Sequence, residues 1–175
     1  MSRARFNALA LVALISACSA GPSEPTGAGW LSTDARSYAA TAIGSEDRYQ
    51  RYMFTVVATF TNQGTAPVYL GRCYPTSPQP TYGVELAGGG KAAYDPIWAC
   101  VGHDQQLAVA PGASRVDTLR LSGPNSFPNG GGRGLASIVG RMRLVYAVGG
   151  CGGEARCPLP ADAGTSNVFD VRLAR

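Results

Sequence analysis

The sequence predicts an all-β fold, an antiparallel β-sandwich of about seven to nine short strands following an N-terminal leader. Three observations carry that expectation. Apolar residues beyond Trp30 recur at period two. The 23 glycines and 12 prolines fall between the apolar segments instead of forming a repeat. No segment after the leader carries a 3.6-residue apolar stripe. Short strands separated by recurring turn signals suit a sandwich or barrel, and the sandwich is the expectation here.

Residues 1–17 read as the leader. Arg3 and Arg5 make a positive start, and Ala8-Leu9-Ala10-Leu11-Val12-Ala13-Leu14 is an apolar run far shorter than the roughly 20 residues of a membrane span. Ile15-Ser16-Ala17-Cys18 comes next. Small residues before a cysteine resemble the lipobox of bacterial lipoprotein signals, which implies cleavage before Cys18 and lipid on Cys18. The protein would then be held at a membrane of the bacterial cell envelope. Ser19 in place of aspartate implies, by the same resemblance, sorting to the outer membrane of a Gram-negative host. Secretory cleavage after Ala20 is the alternative. Cysteine parity favours lipidation, because five cysteines less Cys18 leave four, an even number able to pair in an oxidising compartment.

Residues 18–30, small and polar with Pro22 and Pro25, read as a flexible tether reaching about 20 Å. Residues 31–175 are then one domain, large enough to bury a core. Its strands are expected at 37–43, 52–61, 67–70, 82–86, 97–100, 106–109, 116–121, 142–148 and 168–173. Tyr52, Phe54, Val56, Ala58 and Phe60 share one face of the second, with Thr55, Thr59 and Thr61 on the other. Asn62-Gln63-Gly64-Thr65 supplies turn chemistry, and Pro67 suits a strand's first residue, so 52–61 and 67–70 are expected to form a hairpin. Ala110-Pro111-Gly112-Ala113-Ser114 is a turn. Met142, Leu144 and Tyr146 alternate with Arg141 and Arg143, and Phe169, Val171 and Leu173 with Asp170 and Arg172. These two strands are expected to form a hairpin. The glycine-rich 122–134 segment reads as a surface loop.

Thr59-Phe60-Thr61-Asn62-Gln63-Gly64-Thr65-Ala66-Pro67-Val68, Val109-Ala110-Pro111-Gly112-Ala113-Ser114 and Ser166-Asn167-Val168-Phe169-Asp170-Val171 together resemble bacterial immunoglobulin-like envelope domains. The nearest named group is the bacterial intracellular proteinase inhibitor family, with related immunoglobulin-like adhesion modules. The resemblance spans 31–175 and implies an immunoglobulin-like sandwich. A lipoprotein signal and two cysteine pairs depart from the inhibitor pattern, so an inhibitory role is not carried over with it.

The four remaining cysteines allow three connectivities. Cys73 with Cys100 joins the ends of neighbouring strands, and Cys151 with Cys157 is a local bridge at the tip of the C-terminal strand pair, so this pattern is favoured. A metal site using these thiols with His103 has poor spacing, because Cys-x5-Cys is wider than a zinc knuckle. Copper electron transfer needs more than one histidine. No metal or cofactor is expected. With His103 the sole histidine, and with no Gly-x-Ser-x-Gly motif, catalytic triad chemistry has no basis. Glu85, Asp95, Asp104 and Asp117 read as scattered surface acids, not a glycosidase pair. The chain is expected not to be an enzyme.

The formal charge of +4 drops to +2 without Arg3 and Arg5, Lys91 is the only lysine, and like charges do not cluster, which excludes nucleic acid as a partner. Arg141, Arg143 and Arg172 share an outward face interrupted by Asp170. Tyr74-Pro75-Thr76-Ser77-Pro78-Gln79-Pro80-Thr81-Tyr82 is stiffened by proline and anchored at Cys73. Tyr74, Pro75, Pro78, Pro80 and Tyr82 are therefore candidate binding residues, since a rigid tyrosine-bearing loop loses little entropy on binding. A connector over the core is the competing reading. Trp98 beside Cys100 is expected to pack on the disulfide. The functional expectation is a membrane-anchored envelope lipoprotein with a non-catalytic binding or structural domain, its partner an envelope protein or glycan. An inhibitor of exported proteases is the alternative, and a hydrolase using His103 ranks last.

Overall fold

A computed structural model describes residues 29–46, 49–96, 100, 105–124, 137–150 and 159–175. Cys18, Trp98, His103, Cys151 and Cys157 lie outside these residues, as do most of the expected 97–100 strand and most of the glycine-rich 122–134 segment. The described residues form an all-β sandwich with no helix. Its ten strands are β1 (Leu31–Thr33), β2 (Ser37–Glu46), β3 (Tyr49–Thr61), β4 (Val68–Arg72), β5 (Tyr82–Leu86), β6 (Gln105–Val109), β7 (Ser114–Gly123), β8 (Gly140–Tyr146), β9 (Val148–Gly150) and β10 (Phe169–Leu173).

Seven strands join in the order β1-β3-β2-β10-β8-β5, with β7 paired to β3, and three in the order β6-β4-β9. β3 is the spine, because its alternation exposes Thr55 and buries Phe54, Val56, Ala58 and Phe60. One edge of β3 pairs with β7 from Tyr52 to Thr61. The other pairs with β2 near its start and with β1 near its end. β2 is shared, running antiparallel to β3 and parallel to β10. Side chains of β3 meet those of β8 and β10 across the core. Phe54 and Phe169 have ring centroids 6.3 Å apart, and Phe60 stacks on Tyr146 at 6.5 Å. Tyr94 closes the core edge-on to Phe54 at 4.8 Å.

The strands expected as a C-terminal hairpin do pair antiparallel, as β8 with β10, but β9 between them crosses to the three-stranded sheet, so they are not a simple hairpin. The expected hairpin of 52–61 with 67–70 is absent. β3 pairs with β1, β2 and β7, whereas β4 pairs with β6 and β9. The reason lies in Asn62, which is fully buried. Its amide Nδ2 donates to the Ala66 and Val109 carbonyls, each at 2.9 Å, while Oδ1 accepts the Gly64 N–H at 2.9 Å. Its backbone N–H donates to Ala113 O and its carbonyl accepts from Gly112 N. One side chain thus turns the chain over between sheets and ties that crossover to the 110–113 turn, which crosses back. A hairpin would leave these buried groups unpaired.

Three smaller differences have similar origins. β8 and β9 share one expected strand, broken at Ala147 where its partner changes. β7 extends to Gly123, two residues into the expected loop. Trp30, at the end of the segment read as tether, packs against Phe60 at 6.2 Å, and its carbonyl accepts from Thr61 N at 2.7 Å. The chain therefore enters the fold at the end where β3 finishes. The β2–β3 connection lies at the opposite end.

Candidate functional site

β4 and β5 behave as one strand opened in the middle. Read along β8 and β9, the partners are Leu86 to Tyr82 and then Leu70 to Val68. Residues 73–80 are pushed out between them, while Arg72 still pairs with Gln105 on β6. The neck is closed by three backbone bonds, from Thr81 N to Gly71 O at 2.7 Å, from Gly71 N to Ala147 O at 2.9 Å, and from Ala147 N to Thr81 O at 3.3 Å. With Gly71 and Thr81 already bonded, the fold does not need the residues between them as a connector.

The excursion is fastened along its length. Cys73 is disulfide-bonded to Cys100, 27 residues on, with Cα atoms 4.9 Å apart. Ser77 N donates to Tyr74 O at 3.0 Å, closing a β-turn with Pro75 at its second position, where proline's fixed φ belongs. Gln79 Nε2 donates to the Thr118 carbonyl on β7 at 2.6 Å. Arg115 Nη2 donates to the Pro78 carbonyl.

That arginine is itself held from within. Arg115 Nε donates to Asp117 Oδ2 at 2.9 Å and Nη2 to Oδ1 at 2.6 Å, a two-pronged pair, and Tyr146 OH donates to Oδ2 at 3.3 Å. Asp117 is buried, its side chain 3% exposed. Burial, and then the Asp117 carboxylate, hold the Tyr146 phenol well above the ordinary tyrosine range, so it stays a donor. Asp117 is therefore no scattered surface acid. Alternation along β7 carries the signal: Arg115, Asp117, Leu119 and Leu121 share one face, and the two leucines mark it as the core. Gln79 and Arg115 are the two members of this arrangement with no mark in the sequence.

The five candidate residues separate into two groups. Tyr74, Pro75 and Pro78 are exposed on the excursion, Tyr74 at 47%. Pro80 is buried at the neck, and Tyr82 is half-buried within β5 opposite Tyr146, where burial raises its phenol pKa. The surface on offer is therefore Tyr74, Pro75, Thr76 and Pro78, which carry no charge.

A hollow of about 290 Å³ lies beside the neck, lined among others by Thr81, Gly83, Glu85, Asp95 and Val145. Asp95 is engaged by Lys91 Nζ at 2.7 Å and by Val84 N at 3.0 Å. Among the described residues, no group of three or more His, Cys, Asp or Glu side chains is arranged to hold a metal. Comparison with protein-family models, curated proteins and solved structures finds no match.

Proposed function

We propose that this chain is a membrane-anchored lipoprotein of the bacterial envelope, and that its sandwich is a non-catalytic binding module presenting the 73–80 excursion to an envelope protein or glycan. The excursion is the supporting observation. A segment the fold does not need is nonetheless held by a disulfide, a turn, a side-chain cap and a buried ion pair. Such preorganisation removes ordering entropy from binding, and an exposed tyrosine held between the disulfide-bonded Cys73 and Pro75 offers rigid contact area. The uncharged surface predicts binding that changes little with salt. The anchor is supported by Arg3, Arg5, the apolar run and Cys18.

Two measurements test the halves of this reading separately. Cys18→Ser is expected to release the chain from the membrane fraction, and a variant still sedimenting with membranes overturns the anchor. Tyr74→Ser, with an unchanged unfolding curve, is expected to remove partner cross-links from the excursion in the native host.

An inhibitor of exported proteases is the second reading, favoured by the same rigidity. The Tyr74 carbonyl accepts the Ser77 N–H and is followed by Pro75, so the Tyr74–Pro75 bond is ill placed for attack in a substrate-like complex. Inhibition would then work by obstruction. A panel of serine, cysteine and metalloproteases decides, and absence of inhibition with slow cleavage of the excursion removes it.

A further inference from the structure

We infer that the excursion is also an edge guard: between two prolines, Gln79 closes the open edge of β7 against antiparallel pairing with a second copy of this chain. Contacts on the far side of β3 show which way the β7 backbone faces. Val57 N donates to Asp34 Oδ1 and Val57 O accepts from Asp34 N, both at 2.9 Å, while Thr61 N donates to Trp30 O. These groups point toward the β1 side. Val57 and Thr61 are therefore the non-hydrogen-bonded partners of Thr118 and Ser114 on β7. By alternation, Val116, Thr118, Arg120 and Ser122 turn their own N–H and C=O groups away from β3. Their register with β3 runs the length of β7 without a bulge.

From Val116 to Ser122, the one outward backbone group with a partner among the described residues is the Thr118 carbonyl, which accepts from Gln79 Nε2 at 2.6 Å. Arg115 Nη2 holds the Pro78 carbonyl nearby. Residues 78 and 79 thus lie against β7 between the levels of Arg115 and Thr118. Pro78 and Pro80 have no N–H to offer a ladder, so the excursion covers the edge without becoming a strand. Covering an exposed edge with a loop and prolines is a recognised defence against edge-to-edge pairing.

The occupant excluded is a second copy, because β7 complements itself. About a two-fold axis at Thr118, Val116 meets Arg120 of the other copy, Thr118 meets Thr118, and Arg115 and Asp117 meet Leu121 and Leu119. No like charges fall opposite one another. Arg115 and Asp117 are already paired within each copy. Val116, at 62% the most exposed large hydrophobic residue among those described, would be covered by an arginine stem. The guard acts whether or not Tyr74 meets a partner, so it stands apart from the proposed binding role.

The test places a photo-crosslinking amino acid at Val116 of the full chain in its native host, with and without Gln79→Ala. The variant is expected to raise the homodimer adduct about five-fold, the effect of removing one hydrogen bond from the guard. Mass spectrometry should place the adduct at or beside Arg120 of the second copy. Gln79→Glu, equally unable to donate to the Thr118 carbonyl, should behave as Gln79→Ala does. Thr118→Lys in the Gln79→Ala chain sets two cations face to face and should return the yield to the parent level. Tyr74→Ser alone should leave that level unchanged, which separates this result from loss of a partner on the excursion. Equal yields in parent and Gln79 variants, an adduct outside β7 of the second copy, an adduct with another protein alone, or a yield indifferent to Thr118→Lys overturns the inference.

Discussion

Replacing Asp117 with alanine asks whether a buried ion pair fastens the excursion. The Asp117 side chain is 3% exposed and that of Arg115 27%. The variant leaves a largely buried guanidinium without its carboxylate and the Tyr146 hydroxyl without its acceptor. Breaking a buried pair costs about 3–5 kcal/mol. Water reaches part of Arg115, so the low end applies, about 3 kcal/mol. For a domain of this size that lowers Tm by roughly 6–12 °C. Urea unfolding at constant m measures the free energy directly. Hydrogen exchange adds what stability alone does not report: the Ser77 and Thr81 amides should exchange faster than in the parent, because the Pro78 carbonyl loses a fixed donor. Arg115→Met combined with Asp117→Leu should regain most of the stability, since it removes both buried charges together. Its excursion should still exchange fast. A loss below about 1 kcal/mol for Asp117→Ala, or excursion amides as protected as in the parent, would refute the coupling.

Asn62→Ala should cost about 3 kcal/mol, by stranding two carbonyls and one N–H at the crossovers, and chemical unfolding measures it. Removing the Cys73–Cys100 bridge by double alanine substitution should lower stability by about 3.5 kcal/mol, from the 27-residue separation it closes; a denaturation midpoint unchanged by reductant would contradict this. Gly123→Ala should destabilise strongly, since its Cβ would overlap the Ala93 carbonyl oxygen, and a wild-type melting curve would show that this packing is wrong. Burial raises the phenols of Tyr38, Tyr82, Tyr94 and Tyr146, Tyr94 to about 12. Above pH 10 the unfolded chain therefore loses these protons first. The stability they contribute is complete below that pH and falls by about 1.4 kcal/mol per pH unit per tyrosine as pH rises. Tyrosinate absorbance should appear together with unfolding, and gradual titration in a folded protein would argue against burial.

Local periodicity made much of the fold legible. β5 occupies the expected residues 82–86, and β3 contains the expected inward face, because alternation records which side of a strand meets the core. The expected Cys73–Cys100 pairing is present, with Cys73 directly after β4. The excursion was legible as a stiff proline segment but not as an excursion. Its neck depends on Ala147, some seventy positions along the chain, and no local pattern records such a meeting.

The sequence by itself determined the all-β class, the alternating core faces and the thin catalytic inventory, all of them read from composition and from neighbouring residues. Only the tertiary structure decided which strands pair, that Asn62 turns the chain between sheets where a hairpin seemed natural, and that Asp117 is a buried partner of Arg115. These depend on long-range pairing, where a buried polar group takes whichever partner satisfies it, however far along the chain that partner lies.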